Sequence, residues 1–338
     1  MSIRIEVIAE DVFTYDADVL ALKFAQALYG VDAAVVTGLT RQGRDVGDRL
    51  PPIGECSWFD SSGVVAAREV LFVGVEPFGR FDYLTIRRFA AQAVAVASRE
   101  RPAAAHLAMT LHGRGFGLDE EEAFRAEVAG ILDTLADDDQ TWALARVSIV
   151  ERDAEVASRL RALLLTILPT GEVTARRSRQ QPEEPSLRAA RSHLGAVGHD
   201  SSKKPHVFVA MPFADEYSDR FHYGISSAVK AAGLLCERAD LASFTGDVVT
   251  WVKERIDSAA LVVADLSGAN PNVYLEVGYA WGRGVSTVLL LAEGDDLTFD
   301  TRAQRCLIFK SIRHLEQMLT REILALGTPT GQRGSGAR

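Results

Sequence analysis

The residues best suited to chemistry lie in one run, Leu261 to Ala280. Apolar residues from Ala260 to Leu266 predict a buried strand that ends on Asp265. A short polar turn follows. Asn270 is then a favourable helix N-cap, with Pro271 at the first helical position, where a missing N–H costs nothing. Glu276 falls in the second turn of that helix, close to the carboxyl end of the strand. In open α/β sheets ligands bind in the crevice outside those strand ends. A carboxylate there, with no basic neighbour in sequence, can stabilise or capture a carbon centre that gains positive charge. Asp265 is balanced between a turn-forming carboxylate and a substrate contact. Asn272 can turn its amide toward the crevice, and Tyr279 shares the Glu276 face of the helix as core or pocket wall. Met211, Pro212 and Phe213 close an earlier strand and border the same crevice, as packing or as a wall against a flat ring.

These residues need a scaffold, and the sequence supplies one on each side of a polar stretch. After it, strands at Val207–Met211, Leu234–Arg238, Ala260–Leu266 and Thr287–Leu291 alternate with helices at Asp219–Ala232, from Gly246 to about Ser258, and from Pro271 to about Gly284. Such apolar strands predict a small parallel, doubly wound sheet, closed by an amphipathic helix at His314–Leu326. Before the stretch, strands at Ile3–Ile8, Asp18–Lys23, Glu69–Val75, Ala105–Thr110 and Trp142–Val150 alternate with helices at Phe24–Tyr29, Phe81–Ser98, Asp119–Leu135 and Ala154–Leu168. That pattern predicts a three-layer α/β sandwich. The domain division is therefore 1–169, a flexible linker 170–204 rich in Arg, Gln, Ser, Pro and Glu, 205–326, and a disordered tail 327–338. Arg188–Leu194 is a candidate short helix within the linker.

Composition narrows the function classes. The chain of 338 residues has a net charge of -9, which disfavours a nucleic-acid partner. No apolar run reaches membrane-spanning length, so no membrane partner is expected. The three cysteines, Cys56, Cys236 and Cys306, show no metal-ligand spacing and fit a reducing cytoplasm. No metal is expected. His106, His112, His222 and His314 have no sequence partners that suggest metal or nucleophilic chemistry.

The segments Val207-Phe-Val-Ala-Met-Pro-Phe213, Ala264-Asp-Leu266 and Asn270-Pro-Asn-Val-Tyr-Leu-Glu-Val-Gly-Tyr-Ala280 together resemble the TIR-like and nucleoside 2-deoxyribosyltransferase-like domains. The resemblance implies a flavodoxin-like fold and N-glycosidic bond cleavage, with Glu276 as the catalytic residue. Members divide among NAD cleavage, deoxyribosyl transfer and non-catalytic signalling. The first half resembles the macro-like N-terminal domain of leucine aminopeptidases through Tyr15-Asp-Ala-Asp-Val-Leu-Ala-Leu22, Val70-Leu-Phe-Val-Gly-Val75 and Met109-Thr-Leu-His-Gly-Arg-Gly-Phe-Gly117. In macro domains the loop matching Gly113, Gly115, Phe116 and Gly117 wraps a diphosphate and ribose. Here Asp119 and Glu120–Glu122 follow it, which opposes an anion and favours a structural turn. Taken together, the resemblances imply a regulated NAD hydrolase of the bacterial immune-effector type. In it a sensing half restrains a cleaving half and activity switches on with homo-oligomer assembly. NAD would be substrate, with no cofactor. A 2-deoxyribosyltransferase and a non-catalytic nucleotide-binding module are the alternatives.

Overall fold

A computed structural model describes residues 2–113, 117–137, 143–176, 182–239, 248–295 and 305–327. The chain divides into two compact units, residues 1–114 with 120–202, and residues 115–119 with 203–338. Each is α/β with a mostly parallel sheet.

The first unit holds β1 (Ser2–Ala9), β2 (Val19–Phe24), β3 (Cys56–Asp60), β4 (Glu69–Gly74), β5 (His106–Thr110), β6 (Arg146–Glu151) and β7 (Glu172–Thr174), in the sheet order β3-β4-β2-β5-β6-β1-β7. The edge strands β3 and β7 run antiparallel to their neighbours and the rest are parallel. Side chains alternate faces along a strand. Leu20, Leu22, Val70, Phe72, Ala108 and Val150 cluster with Val35, Val36 and Leu39 of α1 (Gly30–Arg41). The intervening Val19, Ala21, Leu71, Val73, Leu107 and Met109 are buried as well. The sheet is therefore covered on both sides, as a three-layer sandwich requires. α2 (Tyr83–Glu100) packs along α3 (Glu120–Leu135), and α4 (Ala154–Ile167) lies on β1 and β6.

Three expectations change here. Phe24–Tyr29 is not a helix: Phe24 ends β2, and the helix is the next segment, α1. β3 was not foreseen, because its antiparallel edge position leaves it half-exposed and short. The stretch read as a flexible linker carries β7 and α5 (Pro185–His193), which belong to the first unit. Among its apolar residues Leu187, Ala190, Leu194 and Val197 are buried. Arg87 of α2 donates to the carbonyls of Leu194, Gly195 and Val197 and pairs with Asp133, which also meets Arg191. A polar composition thus conceals a docked segment, attached by a few buried apolar side chains and by backbone carbonyls that accept from Arg87.

The second unit is a five-stranded parallel sheet: β8 (His206–Ala210), β9 (Leu235–Glu237), β10 (Leu261–Asp265), β11 (Thr287–Ala292) and β12 (Cys306–Phe309), in the order β12-β11-β10-β8-β9. Numbered within the unit this is the flavodoxin-like order 2-1-3-4-5. Val207, Val209, Val263, Val288 and Leu290 pack with α6 (Ser227–Ala231) and α9 (Ile312–Leu326) on one face. The alternate residues Phe208, Ala210, Val262, Ala264 and Leu289 are buried on the other, which α7 (Val248–Ser258) and α8 (Pro271–Gly282) cover with Ile256, Val273, Val277 and Ala280. The expected helix Asp219–Ala232 contains a π-helical segment, Arg220–Ser226, before α6. β12 was not foreseen.

Trp142, Arg177, Arg179, the loop Asp240–Asp247 and the tail beyond Gly327 lie outside the described residues.

Candidate active site

The turn after β10 is built from its own side chains. Asp265 is fully buried and accepts the Ser267 N–H at 3.0 Å, and Ser267 Oγ accepts the Ala292 N–H of β11 at 2.9 Å. Gly268 has φ +72°, where a side chain is strained, and a Cβ there would press on the Tyr217 hydroxyl. Asn270 then caps α8, its side chain accepting the Asn272 N–H at 2.9 Å, with Pro271 at the first position. This punctuation fixes where α8 begins, and so fixes Glu276 in its second turn beside the carboxyl edge of the sheet.

Glu276 is half-buried. Among the described residues its carboxyl makes no hydrogen bond and no ion pair, and burial alone pushes it up to about 8. Removal from water without a compensating cation is the physical cause. At neutral pH a carboxyl raised to about 8 is mostly protonated. A cation arriving beside it would restore the charged form.

The other expected site residues divide. Met211 belongs to the core cluster on the α6 and α9 face, and Pro212 is buried. Phe213 is half-buried with the Arg238 guanidinium 5.5 Å from its ring, and Arg238 also lies 4.1 Å from the Phe221 ring. Asp265 is committed internally: besides Ser267 it takes a hydrogen bond from Arg220 Nη1 at 2.8 Å. The turn-forming reading of Asp265 therefore describes its contacts. Asn272 is exposed, its N–H taken by the cap. Tyr279 donates to Asp257 of α7 at 3.1 Å, with Lys253 Nζ 5.6 Å from its ring, so it holds α8 against α7.

Sequence reasoning missed Arg220. It lies inside a predicted helix with nothing to distinguish it from a surface arginine. A cavity of about 280 Å3 is lined by Glu216, Arg220, Ala292, Glu293, Phe309, Lys310, Ser311 and Ile312. Neither Glu276 nor any other expected site residue is in its walls.

Gly113, in the first unit, adopts φ +93° and Gly117, grouped with the second, φ +84°, while Gly115 and Phe116 lie outside the described residues. His112, just before, is buried. Its ring stacks on Phe89 with centroids 4.3 Å apart, and its backbone N–H reaches Glu127 Oε2 at 3.3 Å. Glu127 is fully buried and its carboxyl is pushed up to about 8 by that burial. Lys23, at the end of β2, forms a buried ion pair with Asp32 at 2.6 Å. Among the described residues no group of side chains could hold a metal ion, and no helix is long and apolar enough to cross a membrane.

No protein-family model matches the chain, and no curated protein matches it. Among solved structures it is similar to a CMP N-glycosidase of Clostridium botulinum, BcmB, at 22% identity and a TM-score of 0.30, over 35% of this chain and 98% of that one. A macrodomain of Oceanobacillus iheyensis is similar at 13% identity and a TM-score of 0.37, over 50% of this chain and 98% of that one. The bottromycin maturation enzyme BotP spans 92% of this chain, at 16% identity and a TM-score of 0.29. These scores are low, and none of the three likenesses bears on which residues act.

Proposed function

We propose that the second unit cleaves an N-glycosidic bond of a nucleotide, that NAD is the substrate, and that Glu276 is the catalytic carboxylate. The observation that carries this reading is Glu276 itself: a half-buried carboxyl, at the strand ends of a parallel sheet, with no cationic partner among the described residues. As the nicotinamide leaves, positive charge develops on the ribose ring carbon and ring oxygen. A carboxylate beside that carbon is worth more in a partly dry site than in water. Water then completes hydrolysis, giving nicotinamide, ADP-ribose and a proton.

The unpaired state of Glu276 favours NAD over a neutral deoxynucleoside. The nicotinamide ring of NAD is already cationic, so its entry draws the carboxyl into its ionised form, and a neutral nucleoside lacks that pull. In this reading the first unit is a sensor, assembly into a homo-oligomer raises activity, and the chain works in the cytoplasm as an immune effector. Mass spectrometry of NAD after incubation with the full chain tests the reaction. Parallel incubations with CMP, and with a deoxynucleoside plus a free acceptor base, separate the other glycosidic substrates. Nucleotide binding without turnover in every assembled state would favour a non-catalytic module.

A further inference from the structure

The cavity beside Arg220 lies outside the proposed catalytic carboxylate and has a construction of its own. Its floor is at the carboxyl ends of β11 and β12, at Ala292 and Phe309, and one wall is the start of α9. Arg220 opens a π-helical segment, a rare geometry that recurs at functional sites. Its guanidinium is held from behind by the fully buried Asp265 and lies 4.9 Å from the ring centroids of both Tyr217 and Phe309. A guanidinium carries five N–H donors. Asp265 takes one, from Nη1, and among the described residues no other acceptor meets Arg220. The rest of a planar, positioned donor fork is available to the cavity.

The charges on the walls select the ligand. Arg220 is offset by Asp265, and Lys310 is offset by Glu293 at 3.2 Å. Glu216 adds an exposed acceptor. No surplus positive charge remains to bind a phosphate or a carboxylate. What remains is donors on Arg220 and Lys310, acceptors on Glu216 and Glu293, and an apolar wall from the partly exposed Ile312. We propose that this cavity binds a neutral planar heterocycle carrying a hydrogen-bond acceptor next to an amino or amide donor. Nucleobases and nicotinamide belong to that class. The about 280 Å3 available accommodates a single such ring. Binding itself does not depend on the glycosidase reading. Only the further step, that the occupant is a base released by the enzyme, rests on it.

The test is equilibrium binding to the full-length protein, with nicotinamide, cytosine and adenine as separate probes. Benzoate and benzamidine serve as charged planar controls. At least one of the three neutral rings binds, and both controls bind at least tenfold more weakly. Arg220→Lys keeps the charge opposite Asp265 but loses the fork, and weakens binding at least tenfold. Ile312→Trp fills the cavity without touching the ion pair and abolishes binding, which keeps the test valid should the lysine variant fold poorly. Glu276→Gln binds as wild type does. The proposal is overturned by failure of all three neutral probes to bind, by a charged control that binds as tightly, or by undiminished binding in Ile312→Trp. Loss of binding in Glu276→Gln would also overturn it, since the ring would then sit against that carboxyl instead. Failure of NAD turnover leaves every one of these outcomes readable.

Discussion

Arg220 donates to Asp265 across 2.8 Å, and the pair joins the π-helical segment to the end of β10 at a point where the Asp265 side chain has no contact with water. The same carboxylate organises the turn that leads to α8 through Ser267. One buried ion pair therefore sets both the donor fork of the Arg220 cavity and the start of the helix that carries Glu276.

Removing one partner leaves the other buried and uncompensated. Arg220→Ala is expected to lower the unfolding free energy of the second unit by about 3–5 kcal/mol. Chemical denaturation of the full chain checks this. A loss below about 1 kcal/mol would mean that the pair is solvated and contributes little.

The Glu276 carboxyl gives a pH dependence of known sign. With its carboxyl raised to about 8, the ionised fraction of the free enzyme grows as pH rises through that value. Turnover at subsaturating NAD is expected to rise on the alkaline side of neutrality along the same curve, and at saturation the midpoint falls, because the bound cation favours the carboxylate. Stability runs the opposite way. A raised acid contributes fully below its unfolded value of 4.5, and the contribution is lost as pH rises through about 8. Glu276→Gln is accordingly expected to stabilise the second unit at alkaline pH, by about 1–2 kcal/mol after allowing for partial exposure. Rate profiles and melting curves across that range check both signs.

Glu127 provides the same test in the first unit, away from any proposed chemistry. It is fully buried, and its carboxyl is pushed to about 8 from 4.5. Its contribution is complete below about pH 4.5 and is lost between there and about 8, a change of about 5 kcal/mol. Glu127→Gln retains an acceptor for the His112 N–H and should flatten that dependence. Melting temperatures of the two proteins, measured from acid to alkaline pH, should diverge progressively from about pH 4.5 and reach a constant difference above about pH 8.

Arg87→Ala removes the donor shared by the carbonyls of Leu194, Gly195 and Val197. Hydrogen exchange across α5 and the turns that follow it is expected to accelerate by at least tenfold, while β2 and β5 remain protected. Unchanged exchange would show that the buried Leu187, Ala190 and Leu194 hold the segment unaided.

Much of this scaffold is legible in the sequence because its strands are buried on both faces and read as continuous apolar runs. Val207–Met211 and Ala260–Leu266 are examples, and both correspond to observed strands within a residue or two. The start of α8 was legible because Asn270 and Pro271 announce it through local capping chemistry. The edge strands β3, β7 and β12 were not: they are short and bury part of their length, so their apolar pattern is broken, whereas the edge strand β9, buried throughout, was. The site was legible only where it depends on local sequence. Glu276 follows from its distance to a cap, whereas the Arg220–Asp265 pair joins positions far apart in sequence and is created by sheet order. The same is true of Tyr279, whose hydroxyl is taken by Asp257 of a neighbouring helix.

The central claim is that one carboxyl group, that of Glu276, cleaves the bond between nicotinamide and ribose. The most direct measurement is the rate of nicotinamide release from NAD at mildly alkaline pH, followed by mass spectrometry for the full-length wild type and for Glu276→Gln at equal, high protein concentration. The account predicts nicotinamide and ADP-ribose from the wild type and a rate at least a hundredfold lower from the variant. Equal rates from the two proteins, or intact NAD with the wild type at every concentration, would contradict it.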